Sequence, residues 1–443
     1  MRSQLATLSL LLAAAVPAGA ETLTLRGAME RARQEAREVT AARANAAAAQ
    51  ERLDQIRAHR FPTIGVEEIW TRTDSPAEVF AFQLNQERFS FADFVTSDPN
   101  DPEPLDTAIT RFALTLPIYT GGELGRRKAQ AEAAAAAAAE SEIWAGHQAA
   151  VAAAEAYVML EQAREYEALL QRARESVAAH VAVARAYVEQ GMLVRSELLR
   201  AEVEQARVED LLAEARGRGR IASAALAYRL GADQATAYEP EGLPAPGPLD
   251  EPLESWLGSG AARADLTGAR RMITAAELEA EVQKAAYLPT VGLHARYDWF
   301  DDTLFGSNGD SLAVVAAAGW RFNLGGATAS AVAAARHQAE AGRQDVDRFT
   351  EGVALEIRQA YEEASTARAR HATALQALDA AREAERITHE RFASGVVKTI
   401  DVLDATTASR EAQTRELVAR ADAQLALLRL AVKSGRAPES VLP

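Results

Sequence analysis

Phe61-Pro62-Thr63-Ile64-Gly65-Val66 returns 227 residues later as Leu288-Pro289-Thr290-Val291-Gly292-Leu293. The same offset carries Glu38-Val39-Thr40 onto Asp265-Leu266-Thr267. Downstream the offset becomes 204, taking Gly121-Gly122 to Gly325-Gly326 and Gly191, Glu197 and Leu199 to Gly395, Asp401 and Leu403. A constant offset over so long a stretch is a gapless match, so the chain is an internal duplication, and a repeat settles architecture before local pattern does. The two offsets differ by 23, which places 23 extra residues in the first copy, between its two apolar stretches. The copies cover residues 21–235 and 261–434, with a tail at 435–443. Between them, residues 236–260 hold Pro240, Pro244, Pro246, Pro248 and Pro252, a linker too rich in proline for a helix or a ladder.

Each copy contains stretches of period two. From Thr290 to Trp299, Val291, Leu293, Ala295, Tyr297 and Trp299 alternate with Gly292, His294, Arg296 and Asp298. From Leu312 to Leu324 the even positions are apolar, and the odd ones include Gly319, Arg321 and Asn323. In the first copy Phe112, Leu114, Leu116 and Ile118 alternate with Arg111, Ala113 and Thr115, while Thr63 to Arg72 alternates less regularly around Glu67-Glu68. This pattern predicts four strands with one apolar and one polar face, each about 10 residues long, the length a tilted strand needs to cross a bilayer. Residues 61–119 and 287–322 also hold 16 of the 26 aromatic residues, as an interfacial girdle at strand ends requires. A soluble β-sandwich is the alternative reading of those strands.

The rest reads as helix. Gly122 to Gly191 has no proline and is rich in Ala, Glu, Arg and Leu, and Gly326 to Gly395 matches it in length. Leu170, Val177, Val181, Ala184 and Val188 form a heptad seam. At 1.5 Å per residue each long segment runs on the order of 100 Å. Shorter helices are expected over 23–60, 196–231, 261–286 and 400–434, with alanine faces that allow many helices to pack closely.

The N-terminus reads as a secretory signal over residues 1–20: Arg2, the apolar run Leu5 to Val16, and Ala18-Gly19-Ala20 before Glu21. Its removal would take the net charge from −15 to −16. There is no cysteine, hence no disulfide framework, and the acidic balance argues against a nucleic-acid partner. No segment is apolar for the roughly 20 residues a helical span needs. Four strands cannot close a membrane barrel alone, because open edges in lipid leave backbone groups unpaired. Strands must come from several chains, and three copies give twelve. The expected fold is therefore mainly α with a transmembrane β-barrel, each chain giving four strands to a trimeric twelve-strand barrel continued by a long α-helical barrel.

Two strands ending in Gly-Gly before an Ala-rich helix, together with Thr399-Ile400-Asp401-Val402-Leu403-Asp404-Ala405-Thr406-Thr407, resemble TolC-type outer-membrane efflux proteins over essentially the whole mature chain. The resemblance implies a homotrimer in outer-membrane lipid, with a helical tunnel in the periplasm and an equatorial belt holding the linker and the tail. It implies a passive exit duct of a tripartite efflux or type I secretion system, fed by an inner-membrane pump through a periplasmic adaptor (membrane fusion) protein. Two helix hairpins turn at Gly191-Met192-Leu193-Val194 and Gly395-Val396-Val397-Lys398, and the resemblance makes these apolar tips the adaptor-docking surface. Asp401 and Asp404 are three apart and share a helix face just past the second tip. By resemblance they face the pore, where threefold symmetry would make rings of carboxylate that attract cations and repel one another. The best-known member ties its gate with a Tyr and an Arg around this turn; here Phe392 and Val397 match those positions, and Arg391 or Lys398 are the substitutes at hand. The insertion, with Phe80, Phe82, Phe89, Phe91 and Phe94 before Asp98, Asp101, Glu103 and Asp106, reads as part of an extracellular loop whose aromatics could fold over the barrel mouth.

No catalytic constellation stands out. His59, His147, His180, His294, His337, His371 and His389 show no metal spacing, and His389-Glu390 lacks the second histidine of a zinc motif. Gly217-x-Gly219-x-x-Ala222 formally fits a dinucleotide loop but follows a helical pattern instead of a strand. The expectation is a protein that is not an enzyme and carries no cofactor or metal. The rival class is a structural or adhesive coiled-coil trimer of the cell envelope, whose heptads should run unbroken and whose strands should not recur in matched pairs.

Overall fold

The computed structural model describes residues 21–96, 98–394 and 396–442. The signal over residues 1–20 and the tip residue Gly395 lie outside them. The first copy runs β1 (Glu21–Leu23), α1 (Leu25–Glu35), α2 (Arg37–Ala58), β2 (Thr63–Thr73), α3 (Pro76–Asn85), α4 (Asp93–Thr96), β3 (Leu105–Thr120), α5 (Glu123–Glu189) and α6 (Arg195–Arg229). After β4 (Tyr238–Pro240), the second runs α7 (Leu253–Gly260), α8 (Ala264–Lys284), β5 (Thr290–Asp301), β6 (Gly309–Gly319), α9 (Ala327–Ala393) and α10 (Thr399–Lys433). The duplication is visible in the lengths: α5 and α9 have 67 residues each, α6 and α10 have 35 each. The chain forms two compact units and passes between them four times, each time inside a helix.

One unit (Asn45–Ala139 and Gly268–Asp347) holds an antiparallel sheet in the order β2-β3-β5-β6. Glu67 lies opposite Arg111, Arg111 opposite Asp298, and Asp298 opposite Ser311, so one polar row crosses all four strands. Arg111 makes a bidentate pair with Asp298, at 2.8 and 3.2 Å. Most of the alternate positions are apolar and several are open, Ile64 being 69% exposed and Leu312 68%, although the hydrogen-bonded Glu68 and Thr110 also lie on that face. Pro117, which cannot donate to a ladder, coincides with a bulge in β3. The fourth strand is shorter than its alternation implies. β6 ends at Gly319, and Trp320, Phe322 and Leu324 continue the apolar pattern outside any ladder. Their exposure, together with the Trp320 indole donating to the Tyr287 carbonyl at 3.0 Å, suits an interfacial belt better than a strand.

The other unit comprises the chain up to Ala44, Glu140–Thr267 and the chain from Arg348 onward. Half of its main buried cluster is alanine, including Ala28 and Ala32 of α1, Ala150, Ala153 and Ala154 of α5, Ala227 of α6 and Ala421 of α10. The buried Tyr157 hydroxyl accepts from the Glu241 amide and lies 3.0 and 3.1 Å from the Leu23 and Gly242 carbonyls, pinning the parallel β1–β4 pair. Burial pushes that phenol up to about 12. The heptad seam is in place, with Val177 and Val181 buried against Ala201 and Val208 of α6 and Ala184 buried as well.

The expected single helix over 23–60 is broken at Ala36, whose ψ of 139° leaves the helical range before α2 begins. The repeat builds this joint twice, since Arg263, between α7 and α8, is the counterpart of Ala36 at the offset of 227. A left-handed glycine closes each joint: Gly231 (φ +73°) comes so near Glu35 that a Cβ would lie 2.6 Å from its carbonyl oxygen, and Gly435 (φ +79°) packs on Arg263. Ala36 fills its joint with a methyl group. Arg263, 2% exposed, fills the other with a charge bound by Asp265 (2.8 Å, twice) and Glu356 (2.9 Å) and flanked by the Trp144 and Phe349 rings. The proline-rich linker is also more ordered than its composition implies. β4 ends on Pro240, and Pro252 caps the N-terminus of α7, where a missing N–H costs nothing.

Candidate functional site: the hairpin tips and the sheet

Both tips sit where a 67-residue helix gives way to a 35-residue one. At the first, Gly191 takes φ +71° and the Met192 amide donates to the Tyr187 carbonyl at 2.8 Å. At the second, the Val396 amide donates to the Arg391 carbonyl at 2.9 Å, the same bond at the offset of 204. The turns present apolar side chains to solvent: Met192 is 61% exposed, Val194 65% and Val396 67%, while Leu193 and Val397 are half-buried. Burying the exposed side chains under a partner would release roughly 1.5–3 kcal/mol each, whereas left in water they stabilise nothing.

Asp401 and Asp404 are both exposed at the start of α10, and they are not equivalent. The Asp401 carboxylate accepts from the Lys398 amide at 2.9 Å, satisfying a donor that the helix leaves open, so this carboxylate has a capping role whatever else it does. Val402 and Leu403 between them are buried and fix the face on which both acids stand. Lys398 is exposed, Phe392 is half-buried, and both are placed around the turn as the sequence implies.

Sequence reading missed two cross-links near the tips. Arg410 of α10 pairs with Glu204 of α6 at 3.0 Å, both largely buried. His180 of α5 stacks on His389 of α9, centroids 5.9 Å apart, and burial followed by the neighbouring ring lowers the pKa of His180. Both pairs join residues more than 200 positions apart, beyond any local pattern. Gly217 and Gly219 lie inside α6, with no strand before them. Among the described residues, no group of three or more His, Asp or Glu is placed to hold a metal, and no helix is long and apolar enough to cross a membrane.

The family model for outer membrane efflux proteins matches residues 28–232 and again residues 260–436, one match for each copy. The chain belongs to the outer membrane efflux protein family. This efflux protein is accordingly a channel component of the outer membrane and not an enzyme. Its sheet is one chain's contribution to a transmembrane β-barrel, and its long helices are its contribution to an α-helical barrel. Solved structures carry the same fold. The outer membrane protein VceC of Vibrio cholerae is similar with a TM-score of 0.74 at 21% identity, over 93% of this chain and 96% of that one. The CmeC outer membrane channel of Campylobacter jejuni gives 0.76 at 15%, over 93% and 85%. The MtrE outer membrane channel of Neisseria gonorrhoeae, solved in its open state, gives 0.74 at 18%, over 93% and 89%. No curated protein matches the sequence.

Proposed function

We propose that three copies of this efflux protein close their sheets into one twelve-strand barrel and form the outer-membrane duct of a tripartite efflux or type I secretion system. The sheet is the observation that carries the reading. β2 and β6 are edges, one face exposes apolar side chains, and the other bears the row Glu67, Arg111, Asp298 and Ser311. In lipid each unpaired edge group costs several kcal/mol, the apolar face needs hydrocarbon, and the charged face needs water. Three sheets joined edge to edge meet all three demands, and one sheet meets none.

On this reading the linker 236–260 and the tail 435–443 belong to an equatorial belt. The tips at Gly191, Met192, Leu193 and Val194 and at Gly395, Val396, Val397 and Lys398 receive a periplasmic adaptor, which couples the duct to an inner-membrane pump. Asp401 and Asp404 line the gate, repeated by threefold symmetry. Transport through such a duct is passive, and the pump supplies both energy and choice of substrate.

Expression with the native leader, isolation of outer membranes, cross-linking and sizing test this directly. A trimer in the outer-membrane fraction is expected. A soluble periplasmic monomer would mean that the sheet is completed within one chain, and the duct would have to be abandoned.

A further inference from the structure

The segment between β2 and β3 is far longer than the turn between β5 and β6, and it is folded. Ser75-Pro76 opens α3, with proline at the first helical position. The strand register shows which face of the sheet this segment covers. By alternation from the polar row, Thr73, Thr107, Ile109, Phe300 and Gly309 share the face of Glu67, Arg111, Asp298 and Ser311. Each anchor of the segment is on that face. The Thr73 hydroxyl donates to Glu78 of α3 at 2.6 Å. Gln86, 1% exposed, donates to the Thr107 hydroxyl at 2.9 Å and accepts from Arg88, which also pairs with Asp302 at 2.7 Å. Gly309 passes so close beneath Asn85 that a Cβ there would fall 1.9 Å from its carbonyl oxygen. Ile109 and Phe300 are buried on a face that would otherwise be open, as is Val79 of α3.

We infer that this segment folds inward across the extracellular mouth of the duct and limits the size of solute that passes there. The inference rests on the barrel reading above. β3 and β6 run toward the long helices at Thr120 and Gly319, so the covered end is the one facing away from them. Eight-strand barrels are filled by side chains, while 16–18 strands leave an aqueous channel; twelve lie between. Three α3 helices, each about 10 Å across with side chains, would take up much of that lumen. Because the buried Gln86 and the close approach of Asn85 to Gly309 hold the segment, with the more exposed Arg88–Asp302 pair beside them, it acts as a fixed constriction and not as a swinging loop.

The absence of native cysteine allows a direct test. Ala113→Cys places a thiol on the polar face of β3, opposite Gly65 and Arg296 and below the segment. Intact cells are treated from outside with a small impermeant maleimide and with a polymer-linked one, with Ser307→Cys in the exposed β5–β6 turn as the reference for reagent reactivity. The polymer reagent should label Ala113→Cys about tenfold more slowly than the small one, as expected for a lumen gated by its width. Replacing residues 76–94 by a short Gly-Ser link should abolish the difference. Q86A with R88A, which frees the segment without touching a strand, should reduce it even if the deletion fails to assemble. Equal labelling in the intact chain, or a difference that survives the freed segment, would overturn the inference. Failure of the small reagent to label Ala113→Cys in intact and deleted forms would show that the polar face does not line water, and would sink the barrel reading as well.

Discussion

The two hairpin tips share a backbone hydrogen bond, Met192 to Tyr187 and Val396 to Arg391, and differ in charge where the second helix of each begins. At the first, Glu197 and Arg200 stand three apart and pair at 3.3 Å. At the second, the offset of 204 puts Asp401 and Asp404 in those places. One tip therefore carries a self-neutralised acid–base pair, and the other carries two like charges on one helix face. Like charges at this spacing cost a few tenths of a kcal/mol, and the N-terminal helix dipole recovers a similar amount. Stability alone gives little reason to keep the second acid. The difference teaches that the two copies share a turn but not its charge, and that the unbalanced acids of the second are where the gate proposal can be tested against the first.

The largest effect expected from breaking this contrast is on ion passage. Asp401→Ala with Asp404→Ala should weaken divalent-cation block in single-channel recordings by about tenfold, since close carboxylates each contribute about 1 kcal/mol of cation attraction even in water. Glu197→Ala with Arg200→Ala should leave block unchanged. Equal sensitivity of block to both double variants would remove the distinction between the tips, and unchanged block in the first would take the acids out of the pore.

The next effect separates the two acids. Asp401→Ala removes the acceptor for the Lys398 amide and should destabilise the first turn of α10 by about 1 kcal/mol, within the usual range for a lost cap. Asp404→Ala removes only a like-charged neighbour and should be neutral or slightly stabilising. Amide hydrogen exchange over the first turn of α10 reads both; similar protection losses in the two variants would mean that Asp401 does not cap.

How much of this was legible follows from the range of each signal. The offsets of 227 and 204 located the matched strand pairs, the long hairpins and both tips, because a repeat is a long-range pattern written in the sequence itself. The period-two stretches gave the strands but overran at Trp320, Phe322 and Leu324, which keep the alternation as exposed side chains with no ladder beneath them. The break at Ala36 has no proline or glycine to announce it; what packs against it is Gly231, almost 200 residues away and beyond any local pattern. Phenylalanines at 80, 82, 89, 91 and 94 suggested a loop, although Ser75-Pro76 was a legible helix start. At the candidate site the positions of Asp401 and Asp404 were readable. The cap on Lys398 and the Glu204–Arg410 tie were not, since one depends on turn geometry and the other on packing.

The smallest effect comes from making the first tip resemble the second. Arg200→Asp removes an exposed ion pair worth about 0.3–0.5 kcal/mol and adds like-charge repulsion of similar size. The expected loss is therefore under about 1 kcal/mol, read as a small drop in the denaturation midpoint of the helical signal. Divalent block should not strengthen, because a carboxylate matters to an ion only where it faces the ion's path. If block did strengthen, acids at either tip would reach the same water. The asymmetry between the turns would then be one of charge and no longer one of position.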